Sequence, residues 1–239
     1  MKLKMMAALA LLSTGLVVSG CDEKPAAETD DKKGAVSEAP TDEKGEAKED
    51  KKDEGATKAP EAKEEVKAAT IGSVAPEFAL TDEAGKEHKL SDYKGKIVVL
   101  EWTCSSCPYV ERHYAKKTMA TTHETVGKED VVWLAIDSTK TVKAEENKAW
   151  KAKEGFAYPV LTDASGKVGK MYGASSTPHM FVIDAEGKLR YSGAIDDDVR
   201  GKAEAPKNYV IETVNALKKG EKIENSETKP YGCGVKYAG

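Results

Sequence analysis

The chain has 239 residues, of which 33% are charged and only 6% aromatic, too polar an average for one wholly folded unit. A net charge of −4, with no concentrated basic patch, excludes nucleic acid as the main partner. Residues 22–70 explain the average: they hold 26 charged side chains in 49 positions, no aromatic, and only Val36 and Val66 as large aliphatics, so they cannot offset the entropy of ordering.

Met1 to Gly20 opens with Lys2 and Lys4, continues as an apolar run to Val18 and ends in small residues, the order of a secretory leader. The run is too short to span a bilayer comfortably. Val18-Ser19-Gly20-Cys21 resembles the bacterial lipoprotein box, which implies that Cys21 is lipidated and anchors the protein to a membrane. Residues 1–20 are thus expected to be a signal peptide, 21–70 a lipidated cysteine with a charged disordered linker, and 71–239 one folded domain. The location implied is the bacterial cell envelope, outside the cytoplasm.

In the domain, Phe78–Thr81 and Glu87–Leu90 flank the turn residues Asp82-Glu83-Ala84-Gly85 and predict a hairpin. Ile97–Leu100 and Val131–Ile136 are unbroken apolar runs, as in central strands covered on both faces. Between them, Pro108 to Val126 predicts one helix with Pro108 in its first turn. Val142 to Glu154 predicts a second helix closed by Gly155. Met180–Ile183 and Leu189–Ser192 predict a hairpin around Asp184-Ala185-Glu186-Gly187, and Ala205 to Lys219 a closing helix ended by Gly220. The order hairpin, strand, helix, strand, helix, hairpin, helix is that of an α/β domain with a mixed sheet.

Cys104-Ser105-Ser106-Cys107 joins the first central strand to a helix. Two intervening residues let both sulfurs meet across one turn, and a helix N-terminus stabilises a thiolate. Zinc needs four ligands, usually from a second pair, and this domain adds only Cys233. Position between strand and helix therefore favours redox chemistry over a metal, and neither metal nor cofactor is expected. A purely structural disulfide is the plain alternative.

Ile71-Gly72-Ser73-Val74-Ala75-Pro76-Glu77-Phe78-Ala79-Leu80, then Leu90-Ser91-Asp92-Tyr93-Lys94-Gly95-Lys96 and Ser176-Thr177-Pro178 resemble the redoxin branch of the thioredoxin fold, AhpC/TSA-like. That branch holds peroxiredoxins and membrane-anchored thiol-disulfide oxidoreductases. Cys107-Pro108-Tyr109-Val110 with His113-Tyr114, Thr177-Pro178-His179-Met180-Phe181-Val182-Ile183-Asp184, and Pro230-Tyr231-Gly232-Cys233 resemble one peroxiredoxin-like subgroup. The resemblance implies a central mixed sheet flanked by helices, with an N-terminal hairpin. It also implies that Pro178 is cis and faces the cysteines. One departure matters: Leu100 and Cys104 stand where peroxiredoxins place Pro and Thr, so a thiol replaces the hydroxyl that helps position peroxide.

The expected activity is thiol-disulfide exchange with a protein disulfide or dithiol. Cys104, expected at the helix start with a reachable sulfur, attacks; Cys107 resolves the mixed disulfide. The alternative is a peroxidase in which Cys107 reacts with hydroperoxide and Cys104 or Cys233 resolves it. A third reading is copper handling by the two cysteines with His179 or His113. Cys233, between Gly232 and Gly234, is either a relay thiol or a spare one. Glu101 is a candidate for proton transfer and His113 and His179 for tuning thiolate charge, each with a plain structural alternative. Trp102 and Thr177 are the candidates for facing the substrate.

Overall fold

Apolar runs without alternation need cover on both faces, and two such runs form the centre of this molecule. A computed structural model describes residues 68–127 and 129–238. The chain divides into two units, Met1–Ala59 and Pro60–Gly239, and the second holds every described residue. The expected leader, the expected lipidation site Cys21 and the expected linker as far as residue 67 lie outside the described residues.

Strand β3 (Ile97–Thr103) runs parallel to β4 (Val131–Asp137), with Ile97 opposite Val131 and Thr103 opposite Asp137. The hairpin β1 (Ala79–Asp82) and β2 (Glu87–Lys89) forms as expected, and β1 pairs antiparallel with β5 (Val160–Thr162) at one side of the sheet. The hairpin β7 (His179–Ile183) and β8 (Leu189–Gly193) completes the other side. The resulting order in this seven-stranded sheet is β2-β1-β5-β4-β3-β7-β8, mixed in direction as expected.

Alternation along β3 sends Val98, Leu100 and Trp102 to one face and Val99 to the other. The first face packs under Phe78 and Leu90 and under Val168 and Tyr172 of α4 (Lys167–Tyr172). The second is covered by α1 (Pro108–Ala115), α2 (Thr118–Val126), α3 (Ala144–Glu154) and α5 (Tyr209–Lys219), through residues such as Tyr114, Met119, Trp150 and Val214. Gly155 and Gly220 close α3 and α5 in left-handed conformation, as expected.

The expected single helix over 108–126 is two helices. Lys117 takes a left-handed conformation, φ 57°, between them. α1 buries Val110, His113 and Tyr114, so a continuous helix would next bury Lys117, Thr118 and Thr121. The break resets the turn so that Met119, Thr122 and Val126 face the core instead. Among the described residues five elements had no expectation: the short 3-10 helix Leu90–Tyr93, β5, α4, β6 (Ser176–Thr177) and β9 (Cys233–Gly234), each six residues or fewer. The last two form a separate two-stranded ribbon.

Candidate functional site

The strand β3 ends at Thr103 and the chain turns through Cys104 to Cys107, whose N–H donates to the Cys104 carbonyl at 3.0 Å. Cys107, not Cys104, is the N-cap of α1, with Pro108 following it. The expectation that the first cysteine sits at the helix start is corrected accordingly: Cys104 lies one turn earlier. It is also the more open sulfur, 9% exposed against 2% for Cys107. Both thiols are free.

The Cys104 sulfur lies 3.3 Å from the Ser106 hydroxyl and accepts from Thr139 Oγ1 at 3.5 Å. The Cys107 thiol donates to the Thr177 carbonyl at 3.1 Å. The Thr177–Pro178 bond is cis, as expected, and its loop thus meets the dithiol directly. Strand β6 carries Ser176 and Thr177, and β9 pairs with it antiparallel, Thr177 opposite Cys233. The tail cysteine is thereby held beside Cys107.

Burial opposes ionisation of Cys107. Hydrogen bonds to the anion from the Cys233 thiol, the Thr177 hydroxyl and backbone N–H groups outweigh it and hold this thiol below its ordinary value. The reciprocal effect pushes Cys233 up to about 11, through its own burial and through the negative charge of the neighbouring sulfurs. Of the two neighbouring thiols, Cys107 is thus the easier to ionise and Cys233 the harder.

Glu101 is fully buried two residues before the end of β3, on the helix-covered face. The Tyr114 hydroxyl donates to Oε1 at 3.0 Å and the Trp133 indole N–H to Oε2 at 2.9 Å. Burial pushes its carboxyl up to about 7 against those donors. Its hydrogen bonds go to aromatic side chains of the core beneath the cysteines.

Several expected site residues lie elsewhere. Trp102 is wholly buried on the opposite face, donating to Ser138 Oγ at 3.0 Å and packed on Tyr172 and Phe181, so it does not face a substrate. His179 shares that face, its ring 4.3 Å from Phe181, and is bonded to Ser175 and Ser192. Burial lowers it to about 4. His113 lies on α1 against Asp196 and Tyr231, lowered to about 4 by burial, with Arg112 and Lys116 adding to the effect and Asp196 opposing it. Neither histidine points a ring nitrogen at the thiols. Among the described residues no three His, Cys, Asp or Glu side chains are grouped to hold a metal ion. Thr177 is buried, and strand β9 occupies its edge.

Asp196 and Tyr231 carried no expectation of a role. The Tyr231 hydroxyl donates to Asp196 Oδ1 and meets His113 Nε2 at 3.1 Å, joining α1, the loop after β8 and the tail. A buried carboxylate in a polar loop leaves no local signal. Tyr231, two residues before Cys233, did stand in a motif.

The family described as AhpC/TSA matches residues 71–192. A thiol-disulfide oxidoreductase ResA of Geobacillus thermodenitrificans (strain NG80-2) is 32% identical over 123 residues, covering 52% of this chain and 68% of that protein. The ResA of Bacillus anthracis is 32% identical over 126 residues, covering 50% and 66%. Two solved structures share the fold. A hypothetical protein from Sinorhizobium meliloti 1021 has a TM-score of 0.63 at 26% identity, covering 72% of this chain and 96% of its own. An uncharacterized conserved protein from Geobacillus kaustophilus has 0.62 at 27%, covering 71% and 93%.

Proposed function

We propose that this chain, which belongs to the AhpC/TSA family, works by cycling Cys104 and Cys107 between dithiol and disulfide in exchange with a protein partner. It is a thiol-disulfide oxidoreductase of thioredoxin-like fold. The observation that carries the mechanism is the single turn joining the two cysteines, with the inner one ionisable against the Thr177-Pro178 loop.

In the reducing direction the Cys104 thiolate attacks one sulfur of a partner disulfide, and the other partner sulfur leaves as thiolate. The Cys107 thiolate then attacks Cys104, releasing the second partner sulfur and closing the Cys104–Cys107 bond. Two electrons pass from this protein to the partner. The lowered pKa of Cys107 favours the thiolate that the resolving step needs, and the greater exposure of Cys104 makes it the entry point. Insulin reduction by the reduced protein tests this. Cys104→Ser and Cys107→Ser are each expected to bring the rate to background, and Cys107→Ser to accumulate a mixed disulfide through Cys104. Full activity in Cys104→Ser sinks the assignment.

The peroxidase reading draws on the low pKa of Cys107. It is separated by stopped-flow peroxide consumption, which the exchange reading expects to be slow and to fall further without Cys104. The tethered location rests on Val18-Ser19-Gly20-Cys21. Cys21→Ala is expected to move the protein from the membrane fraction to the soluble one, and unchanged membrane association sinks the lipid anchor.

A further inference from the structure

The segment from Ser226 to Ala238 is seated across the dithiol by contacts that require particular residues. Ser192 N–H donates to the Ser226 carbonyl at 3.1 Å, and Thr228 N–H returns a bond to the Ser192 carbonyl at 3.1 Å. The Thr228 hydroxyl accepts from Ala194 N–H at 3.0 Å. A Cβ on Gly193 would fall 2.1 Å from that hydroxyl. Past the cysteine, Val235 N–H donates to the Ser175 carbonyl at 3.3 Å and Lys140 N–H to the Lys236 carbonyl at 3.0 Å. The Tyr237 ring fills space that a Cβ on Gly166 or Gly169 would enter, at 2.6 Å from either. Gly232, with φ +141°, approaches so closely that its Cβ would stand 2.0 Å from the Thr177 carbonyl oxygen. Absent side chains on both partners thus leave the track on which this strap lies.

We propose that Cys233 is a third redox-active cysteine, which strand β9 holds against Cys107 so that the oxidised protein exchanges its Cys104–Cys107 disulfide for Cys107–Cys233. The inference deepens the exchange reading above and rests on it. Strand β9 occupies the Ser176–Thr177 edge, so its sulfur stands where a partner strand added to that edge would bring its own.

The step balances without an external oxidant. The Cys233 thiolate attacks the Cys107 sulfur, the Cys107–Cys233 bond forms, and the Cys104–Cys107 bond breaks. Cys104 leaves as thiolate and takes the proton that Cys233 gave up. The oxidation level of the three sulfurs together is unchanged. Redox state also gates the attack. In the reduced protein burial, and with it negative charge developing on the Cys107 and Cys104 sulfurs, pushes the Cys233 thiol up to about 11. Closing the Cys104–Cys107 disulfide removes those charges and leaves burial alone to oppose ionisation.

The test uses the full chain oxidised with diamide, alkylated, and digested without reduction, in wild type and Cys104→Ser. The variant is expected to give a monomer in which one cross-linked peptide pair joins Cys107 to Cys233 and both resist alkylation. The wild type is expected to carry the same cross-link alongside Cys104–Cys107. A Cys104→Ser protein that leaves Cys233 fully alkylated, or joins only between molecules, overturns the proposal. So does a wild type in which that cross-link is undetectable, whatever the variant's folding. Insulin reduction by the wild type reads the exchange activity separately. Insulin reduction without the cross-link overturns the relay alone, whereas the cross-link without insulin reduction overturns the function proposed above and keeps the sulfur chemistry.

Discussion

Glu101 shows how burial turns one carboxyl into a pH-dependent element of stability. Its ordinary value near 4.5 rises to about 7 in the fold, chiefly through desolvation. Between those values the folded protein holds a proton that the unfolded chain releases, so this residue makes stability fall as pH rises and has no further effect above about 7. The span corresponds to on the order of 3 kcal/mol. His113 and His179 act in the opposite sense, because both are lowered to about 4 and the unfolded chain protonates them first. The difference between wild type and Glu101→Gln isolates the carboxyl. The variant is expected to gain on the wild type in urea midpoint from about pH 4.5 to about pH 7 and to gain nothing beyond. A difference constant across that range removes Glu101 as the titrating group.

Among the elements, the junction between α1 and α2 carries a local cost accepted for packing. Lys117 pays for a left-handed φ of 57° so that both helices present apolar faces to one sheet. Lys117→Gly is expected to raise stability by about 0.5–1 kcal/mol, read from chemical unfolding. A loss of stability instead says that the lysine side chain holds the junction. The strap depends on Tyr231, whose hydroxyl reaches His113 and Asp196 in the buried interior. Tyr231→Phe leaves those groups short of a partner and loosens the segment that carries Cys233. Alkylation of Cys233 in the reduced protein is expected to quicken roughly tenfold. An unchanged rate removes Tyr231 as the anchor.

At the scale of the whole molecule, the first described residues already belong to the folded domain. The Ala69 N–H donates to the Met171 carbonyl at 3.0 Å, and Ala69 and Ile71 pack against the core face that holds Trp102. A chain starting at residue 68 therefore keeps these contacts. It is expected to match the full chain in thermal midpoint and in insulin reduction. A clearly lower midpoint places stabilising contacts in the omitted residues.

Local chemistry determined much of this protein from the sequence by itself. Turn residues marked both hairpins, unbroken apolar runs marked β3 and β4, Gly155 and Gly220 marked helix ends, and two residues between cysteines marked one turn. Each depends on neighbours a few positions apart, which is what a sequence displays. The tertiary structure alone decided the rest. Trp102 and His179 belong to the far face because strand alternation points them there, where Tyr172 of α4, distant in the chain, packs on Trp102 and Phe181 packs on both. Glu101 is pushed up to about 7 because the assembled core takes it wholly out of water, against the lowering effect of donors such as Tyr114 and Trp133 that reach it from α1 and β4. Cys233 meets Cys107 because two-residue strands, too short to leave a periodic signal, pair across the molecule. Desolvation and long-range pairing depend on what closes over a residue, and only the assembled chain supplies that.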